Sequence, residues 1–477
     1  MVIGREIEQR QLLQALEADE SQFIAVYGRR RIGKTYLIRQ TYKDKFAFQH
    51  AGLAKAAKKD QLKEFAESLR RYGLKDVKTL RDWQDAFHRL IDLLEAKPAG
   101  KKIVFIDELP WLDTHKSKFL SAFEHFWNGW ASSREDIILI VCGSATSWII
   151  KKIVRNRGGL HNRVTRHIYL QPFTLRECRQ YADKRHLALG DKDIITAYMA
   201  FGGVPYYWSL IDRGEPLTDA FDRLFFAPQA VLQNEFDALY ASLFKNAGYY
   251  IKIVEALGTI KTGMQRAELL KAAKLTNNAT FKTALRELEE CNFIRQYKAI
   301  GKKTKEAIFQ LMDNYTLFYF HFIRDNHTQD AHFWQHTIGQ DIQKAWQGLA
   351  FERVCLWHVE DIKHALGISG MLTSVSAWSY TPTEEEEKKK GAKGAQIDLL
   401  IERKDNVLMV CEMKYYKEPV SIDADYAKYI RTRNAILGSQ LKVKPAMINT
   451  LIAPYGMING RNSDVFDKVI TIEDLLY

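Results

Sequence analysis

Cysteine is scarce in this sequence of 477 residues. No Cys-x-x-Cys pair occurs, and the five cysteines are widely spaced, at Cys142, Cys178, Cys291, Cys355 and Cys411. An odd number of separated cysteines argues against a disulfide scaffold and against a zinc site built from thiolates. The cysteine content therefore favours a protein of a reducing compartment.

Long hydrophobic runs are also missing. No stretch approaches the roughly 18 consecutive apolar residues that a transmembrane helix needs. The first residues include acidic side chains and no apolar segment, which is not the pattern of a signal peptide. These absences predict a cytoplasmic protein that does not enter a membrane.

The rest of the composition is that of a globular chain. Hydrophobic residues make up 46% and charged residues 27%, which excludes a disordered or fibrous protein. The length suits about three average domains. The 70 Lys and Arg outnumber the 58 Asp and Glu, which gives a net charge of +12. This excess favours acidic partners such as nucleic acid, nucleotides or anionic membrane surfaces.

Apolar runs alternate with helical patterns in residues 1–170. Three runs have the length and composition of buried strands, namely Phe23–Tyr27, Ile103–Ile106 and Ile137–Val141. Strands that alternate with amphipathic helices predict a parallel sheet with helices on both faces. Residues 171–246 have aromatic-rich helical patterns instead, and these predict a small helical domain.

The remaining residues predict two further folded segments and a linker. Residues 247–312 contain three helical patterns, the third at Ala279–Glu290, and then two short strands, which is the order of a winged helix-turn-helix. Residues 313–334 are predicted to be a helical linker. Residues 335–477 have another α/β pattern, with predicted elements at Ala345–His358, Leu372–Trp378, Ala395–Ile401 and Val407–Met413.

A glycine-rich, phosphate-binding pattern follows the first predicted strand. It reads Gly28-Arg29-Arg30-Arg31-Ile32-Gly33-Lys34-Thr35, matches Gly-x4-Gly-Lys-Thr, and is followed by a helical pattern from Tyr36. Glycines let several backbone N–H groups point at one phosphate chain, and the start of a helix attracts the same anion. Lys34 would meet the β- and γ-phosphates of ATP, and Thr35 would ligate Mg²⁺. The alternative is a chance glycine-rich turn.

Two acidic residues, Asp107 and Glu108, follow the second predicted strand. The carboxyl end of a strand is where ligands bind in open α/β sheets. Asp107 would complete the Mg²⁺ site, and Glu108 would act as general base on the attacking water. The alternative is that the pair only caps the helix that follows.

These motifs resemble the archaeal-type branch of the STAND class of P-loop ATPases, relatives of the AAA+ class. The resemblance implies ATP hydrolysis, a homo-oligomer, Ser144 as a sensor of the γ-phosphate, and an arginine just before the strand of the Leu-x-Pro element at Tyr169–Phe173, for which Arg163 and Arg166 both qualify. Ser144 as a helix cap and Gly202 as a simple helix stop are the alternatives. The motifs that carry the resemblance are Ile3–Glu6, Val141–Ser144, Tyr169–Phe173 and Gly202–Pro205.

The winged-helix segment has a basic composition. Between Tyr249 and Gln310 there are 12 Lys and Arg against 6 Asp and Glu, a net charge of +6. A helix of amides and cations can lie in the major groove of DNA while lysines of a wing meet phosphates. The alternative is a winged helix used for packing or protein contacts, and Glu287, Glu289 and Glu290 count against deep insertion. The candidate DNA contacts are Asn277, Asn278, Thr280, Lys282, Arg286, Lys302, Lys303 and Lys305.

Acidic residues also recur near the end of the chain. Asp398 lies in one predicted strand, and Glu412 and Lys414 lie at the end of the next, on one face because residues i and i+2 point the same way. Glu352, on the preceding helix, could join them in binding Mg²⁺, and Lys414 could position or deprotonate water. A surface accident is the alternative.

This arrangement resembles the PD-(D/E)xK restriction-endonuclease-like fold, although Ile397 stands where that motif has proline. The resemblance implies metal-dependent DNA cleavage by Asp398, Glu412 and Lys414. An inactive copy of the fold that only binds is the alternative.

The sequence thus predicts a multidomain α/β protein, with a P-loop parallel sheet, a helical lid, a winged helix and a restriction-endonuclease-like α/β domain. The predicted function is Mg²⁺-dependent ATP hydrolysis coupled to DNA binding and to DNA cleavage. The alternatives are an ATP-gated switch or scaffold whose nuclease-like domain is inactive, and a DNA-binding regulator with ATP as effector.

Overall fold

The computed structural model describes residues 2–144, 146–156, 158–298, 300, 307–382 and 394–477. Within these ranges the chain is a multidomain α/β protein that divides into two compact units, Met1–Pro172 and Phe173–Tyr477. The wing lysines named above, Lys302, Lys303 and Lys305, lie outside the described residues.

A parallel sheet forms the centre of the first unit. Its five strands in the described ranges are β1 (Gln22–Tyr27), β2 (Phe46–Ala51), β3 (Lys102–Asp107), β4 (Ile137–Gly143) and β5 (Arg166–Tyr169), in the order β2-β3-β4-β1-β5. The three predicted strands are confirmed as β1, β3 and β4. These strands are central and almost fully buried, because both of their faces are covered.

Helices cover both faces of this sheet, as the alternating pattern predicts. Along β1, Ile24 and Val26 pack in one core, whereas Phe23 and Ala25 pack in the core on the other face. Alternation of this kind follows from the two-residue period of a strand. The helices of the unit are Glu6–Glu17, Lys34–Tyr42, Lys58–Arg71, Trp83–Glu95, Phe119–Gly129 and Thr146–Ile149.

The second unit begins with helices on either side of a tight backbone contact. The backbone N–H of Phe173 donates to the carbonyl oxygen of Gly203 at 2.6 Å. A Cβ on Gly203 would overlap the backbone of Phe173, so the two segments touch only because residue 203 has no side chain. The helices here are Leu175–Arg185, Asp191–Phe201, Pro205–Trp208, Leu217–Phe221 and Glu235–Leu243.

A small antiparallel sheet and three helices follow. The strands are β6 (Met264–Gln265), β7 (Ile294–Tyr297) and β8 (Ile308–Leu311), in the order β6-β8-β7. Asn278 accepts a hydrogen bond from the backbone N–H of Phe281 at 2.9 Å and so fixes the start of the third helix. The winged-helix assignment itself stays a prediction. The helices are Ala247–Gly258, Arg266–Ala272 and Ala279–Glu290.

A mixed sheet forms the last part of the second unit. Its strands in the described residues are β9 (Thr373–Tyr380), β10 (Ala395–Arg403), β11 (Val407–Met413), β12 (Ala446–Ile452) and β13 (Lys468–Ile470). They have the order β13-β12-β11-β10-β9, antiparallel from β9 to β11 and parallel from β11 to β13. Helix Asp341–Trp357 packs on one face and helix Ala424–Gln440 on the other.

The core of the second unit is continuous. Leu175, Phe318, Phe351 and Leu476 belong to one cluster of buried residues, so the segment predicted as a linker, 313–334, contributes to the core. The domain boundaries predicted within this unit stay predictions. Further helices are Asn314–Phe318, Phe333–His336, Val359–Ala365 and Ile472–Leu476.

No helix among the described residues of the chain is long and apolar enough to cross a bilayer.

Candidate nucleotide site and carboxylate cluster

The phosphate loop, Gly28–Thr35, leaves the carboxyl end of β1. Its turns require positive φ angles of 143° at Gly28, 70° at Arg31 and 86° at Gly33. A side chain at residue 28 would overlap the carbonyl oxygen of Leu170, so glycine is needed there. The loop ends at the start of helix Lys34–Tyr42, where backbone N–H groups attract an anion.

Lys34 lies buried within the loop. Its ammonium donates to the carbonyl oxygens of Gly28 and Arg29 at 2.9 and 2.8 Å. These contacts hold a positive charge at the phosphate loop, and an ATP phosphate could exchange with the carbonyls as its partner.

Thr35 and Asp107 meet at the end of the sheet. The Thr35 hydroxyl donates to Oδ2 of Asp107 at 2.8 Å. The other oxygen of Asp107 accepts from the backbone N–H of Glu108 at 2.9 Å and from the Cys142 thiol at 2.6 Å. Hydroxyl and carboxylate oxygens are ligands that Mg²⁺ prefers, so this pair fits a magnesium ion.

Glu108 is held by Ser144, the residue that follows the neighbouring strand β4. The Ser144 hydroxyl donates to the Glu108 carboxylate, 3.0 Å from each oxygen, and the backbone N–H of Ser144 donates at 3.2 Å. Glu108 has a left-handed backbone, with φ of 46°, which turns its side chain toward β4. The predicted base and the predicted sensor therefore lie in direct contact.

The other residues of the loop differ in exposure. Arg29 and Ile32 are buried, Arg30 and Arg31 are partly exposed, and the Tyr36 side chain is 51% exposed. Each lies on the loop or in the first turn of the helix, and its contact with ATP stays a prediction.

Arg163 is not brought to the phosphate loop within this chain. It lies exposed before the start of β5, and β5 runs parallel to β1, so its start is at the opposite end of the sheet from the loop. Arg166 is at that end too, where its Nε donates to Gln22 at 3.2 Å. The placement of Arg163 in the ATP site is therefore corrected for a single chain.

The candidate DNA helix, Ala279–Glu290, presents its polar residues outward. Glu287 is turned away, since its carboxylate accepts from Tyr250 at 2.5 Å, and Glu290 lies 3.9 Å from Arg286. The residues that are exposed on the helix and before it are Asn277, Asn278, Thr280, Lys282 and Arg286.

Glu352 and Asp398 form a pair of acids, here called the acid pair, beside Lys261. The Lys261 ammonium is 2.5 Å from Oε1 of Glu352 and 3.9 Å from Oδ2 of Asp398. Burial, followed by the charge of Asp398, raises the pKa of Glu352 to about 7. Oε2 of Glu352 is buried and accepts from none of the described donors. A buried oxygen with an open lone pair next to a second carboxylate fits a bound cation.

Glu412 points away from the acid pair. Its neighbours on β11, Cys411 and Met413, point to the face of the sheet that packs with helix Asp341–Trp357. Because successive side chains of a strand point to opposite faces, Glu412 faces helix Ala424–Gln440. There Arg433 forms an ion pair with one oxygen, and the other oxygen lies 3.0 Å from the Tyr426 hydroxyl and 3.2 Å from the Lys414 ammonium.

The structure therefore divides the predicted carboxylate cluster. In the described ranges, no three His, Cys, Asp or Glu side chains are arranged to hold a metal ion. Glu352 and Asp398 lie together, and Glu412 lies with Lys414, but the Arg433 ion pair occupies Glu412. The expectation of a single cluster of Glu352, Asp398 and Glu412 is corrected on this ground.

The first unit has the geometry of a P-loop ATPase, with the loop after β1 and the acids after β3. Residues 3–211 match a family described as an ATPase domain predominantly from Archaea. The ATPase domain so matched contains the phosphate loop, Asp107, Glu108 and Ser144. The match supports ATP binding and ATPase activity, and it agrees with the archaeal-type ATPase that the motifs resemble.

The similarity to other proteins covers more of the chain than residues 3–211. The uncharacterized protein MJECL04 of Methanocaldococcus jannaschii is 25% identical over 424 residues, which cover 87% of this chain and 88% of that protein. The Walker-type ATPase of Pyrococcus abyssi is 17% identical, with a TM-score of 0.49. The structural alignment covers 66% of this chain and 95% of the Pyrococcus chain. The ORC2 protein of Aeropyrum pernix is 13% identical, with a TM-score of 0.41. The structural alignment covers 71% of this chain and 94% of the Aeropyrum chain.

Three residues at these sites are not predicted by the sequence motifs. Lys261 belongs to the predicted winged-helix segment, 247–312, whereas the acid pair belongs to residues 335–477. Tyr426 and Arg433 lie on a helix whose sequence contains no recognisable motif. Arg433 is 21 residues from Glu412, so no local spacing signals their pairing. Its near-complete burial, a rare property for arginine, is visible only in the folded chain.

Proposed function

We propose that this chain binds ATP at the phosphate loop and hydrolyses it with Mg²⁺. The proposal rests on the 2.8 Å hydrogen bond between Thr35 and Asp107, which joins the loop to the acids after β3. The match of residues 3–211 to an ATPase family supports it independently.

Each residue of the site has a role in this reaction. Thr35 and Asp107 would hold Mg²⁺, which neutralises phosphate charge when bound. Lys34 would exchange its loop carbonyls for phosphate oxygens. Glu108, released by Ser144, would accept a proton from water as that water's oxygen bonds to the γ-phosphorus, and the bond to the β-phosphate oxygen would break to leave ADP and phosphate.

ATP turnover by the full chain tests this proposal. Glu108→Gln keeps the shape of the side chain but cannot accept the proton, so we expect kcat to fall by about 100-fold or more while ATP still binds. Lys34→Ala should weaken ATP binding itself. Glu135→Gln, on the exposed surface of the same unit, is the control and should behave as wild type. Unchanged turnover in Glu108→Gln would overturn the assignment of the base.

We further propose that the second unit binds DNA through residues 247–312 and cleaves it with a divalent metal at the acid pair. The net charge of +6 and the exposed amides and cations around helix Ala279–Glu290 support DNA contact. The open Oε2 of Glu352 supports a metal. Lys414, which follows β11 and lies 3.2 Å from Glu412, would have to leave that carboxylate to orient water or phosphate at the acid pair.

Cleavage of linear DNA in Mn²⁺ or Mg²⁺ tests the second part. Asp398→Asn should abolish cleavage, whereas Asp405→Asn, at the exposed turn after β10, should leave it intact. If both variants cut like wild type, the acid pair is not a nuclease site. DNA affinity that does not weaken steeply with salt would argue against contact by the basic segment.

A second candidate function is an ATP-gated switch or scaffold in the cytoplasm, with an inactive nuclease-like domain. The pairing of Glu412 with Arg433 favours it, because that carboxylate is then not available to a metal. This function predicts slow ATP turnover and an assembly that changes with nucleotide. Gel filtration with and without a nonhydrolysable ATP analogue distinguishes it from the nuclease.

A further inference from the structure

The backbone of Lys261 is held firmly beside the acid pair. Its carbonyl oxygen accepts from Nη2 of Arg353 at 2.6 Å and from Nε2 of Gln310 at 2.7 Å. Both donors are almost fully buried. The next carbonyl, that of Thr262, accepts from the Tyr297 hydroxyl at 2.6 Å. Three side chains therefore fix the connection between helix Ala247–Gly258 and β6.

The side chain of Lys261 reaches from this connection to both acids. Its side chain is 48% exposed, whereas that of Glu352 is 8% exposed and that of Asp398 is 19% exposed. Lys261 is therefore the most exposed of the three side chains. A half-exposed lysine has a flexible stem and can leave without unpacking the core.

The buried arginine nearby does not replace Lys261. Nε of Arg353 donates to the carbonyl of Leu311 at 2.8 Å, and its Nη2 donates to the carbonyl of Lys261. Lys261 thus supplies the ion pair that the described residues give Glu352, while Oε2 of Glu352 stays open to a ligand.

We propose that Lys261 is a resident cation that competes with a divalent metal for Glu352 and Asp398. The inference rests on the proposed metal site and adds its regulation. A metal ion that binds the acid pair must displace the ammonium or bind against its repulsion. Because the electrostatic effect depends on the distance of the ammonium from the two carboxylates, a shift of Lys261 would change the metal affinity of the acid pair.

Mn²⁺ binding to the full chain without nucleotide, measured by calorimetry, tests this competition. Lys261→Met keeps the length of the side chain and removes its charge, so we expect Mn²⁺ to bind about tenfold more tightly. Lys261→Arg keeps the charge and should bind like wild type. Lys344→Met, an exposed lysine on the helix that carries Glu352, is the matched control and should change nothing.

Removal of the acid pair separates the two proposals. If Asp398→Asn removes a Mn²⁺ site but Lys261→Met binds no more tightly than wild type, the metal site stands and the competition is overturned. Weaker binding by Lys261→Met also overturns it, because the lysine would then support the site. Asp398→Asn is therefore made both in the wild-type chain and in the Lys261→Met variant. If it leaves Mn²⁺ binding unchanged in both, the metal site and the competition fail together. Thermal unfolding of each variant shows that it is folded.

Discussion

Glu412 and Arg433 form a nearly buried ion pair on the sheet of the second unit. Their side chains are 12% and 1% exposed. Burial acts to raise the pKa of Glu412, but the charges of Arg433 and Lys414 outweigh it, so the pKa lies below its ordinary value. The carboxylate is therefore ionised in the fold, and its charge depends on the guanidinium for compensation.

Arg433→Met should remove the buried counter-charge of Glu412, leaving the partly exposed Lys414 beside it, and lower the free energy of unfolding by about 3 kcal/mol. The double variant Arg433→Met with Glu412→Gln removes both charges and should be more stable than Arg433→Met alone. Urea unfolding near neutral pH measures both. The loss should shrink as the pH falls below the ordinary pKa of Glu412, because the stabilisation from a depressed carboxyl pKa is complete above that value and is lost as the pH falls through the depressed one. Equal stability of the single and double variants would contradict the pairing.

His50, buried on β2, makes the first unit sensitive to acid. Burial first and Arg71 second lower the pKa of His50 to about 3, from an ordinary 6.5. The unfolded chain therefore takes up a proton that the folded chain does not. Between about pH 7 and about pH 5 this difference should cost about 2 kcal/mol of stability.

His50→Gln should flatten this dependence. The unfolding free energy of the variant should fall less than that of wild type over the same pH range, by denaturant titration at each pH. His88→Gln, at an exposed histidine of the same unit, is the control and should keep the wild-type slope. A parallel slope in His50→Gln would mean that other groups carry the acid sensitivity.

At the scale of elements, local signals are sufficient for much of the fold. The helix Ala279–Glu290 is predicted to the residue because Asn278 caps it and its apolar spacing lies within the helix. The phosphate loop is likewise contiguous, so its geometry follows from its own residues. The carboxylate cluster is only half predictable, because it depends on which face each strand turns to its helices. A β-bulge between Ile397 and Leu400 shifts the alternation at Asp398, and sequence spacing does not reveal that shift.

The contact between Phe173 and Gly203 ties the first helices of the second unit together. Gly203→Ala would force the two backbone segments apart, and we expect a loss of more than about 2 kcal/mol in unfolding free energy. Gly248→Ala, in helix Ala247–Gly258 with open space around its Cα, is the control and should be neutral or slightly stabilising. Chemical unfolding followed by circular dichroism measures both. Equal stabilities of the two variants would show that the contact can relax.

At the scale of the whole molecule, the two units have separate cores. Met1–Pro172 is built on the two faces of its parallel sheet, and the main core of the second unit runs from Phe173 to Leu476. Separate cores predict two calorimetric transitions instead of one.

A nonhydrolysable ATP analogue with Mg²⁺ should raise the transition of the first unit more than that of the second. At about 100 times its dissociation constant, the analogue should add about 2.7 kcal/mol to the stability of that unit. Lys34→Ala should abolish the shift. A shift of equal size in wild type and Lys34→Ala would place the nucleotide elsewhere.

The short helix Ile472–Leu476 packs in the same core as helix Leu175–Arg185, nearly three hundred residues earlier in the chain. During synthesis, the first unit can close its core while the ribosome is still translating the rest, because all of its elements have already emerged. The second unit completes its core only when helix Ile472–Leu476 has been translated. Helix Leu175–Arg185 therefore lacks one of its packing partners until helix Ile472–Leu476 leaves the ribosome.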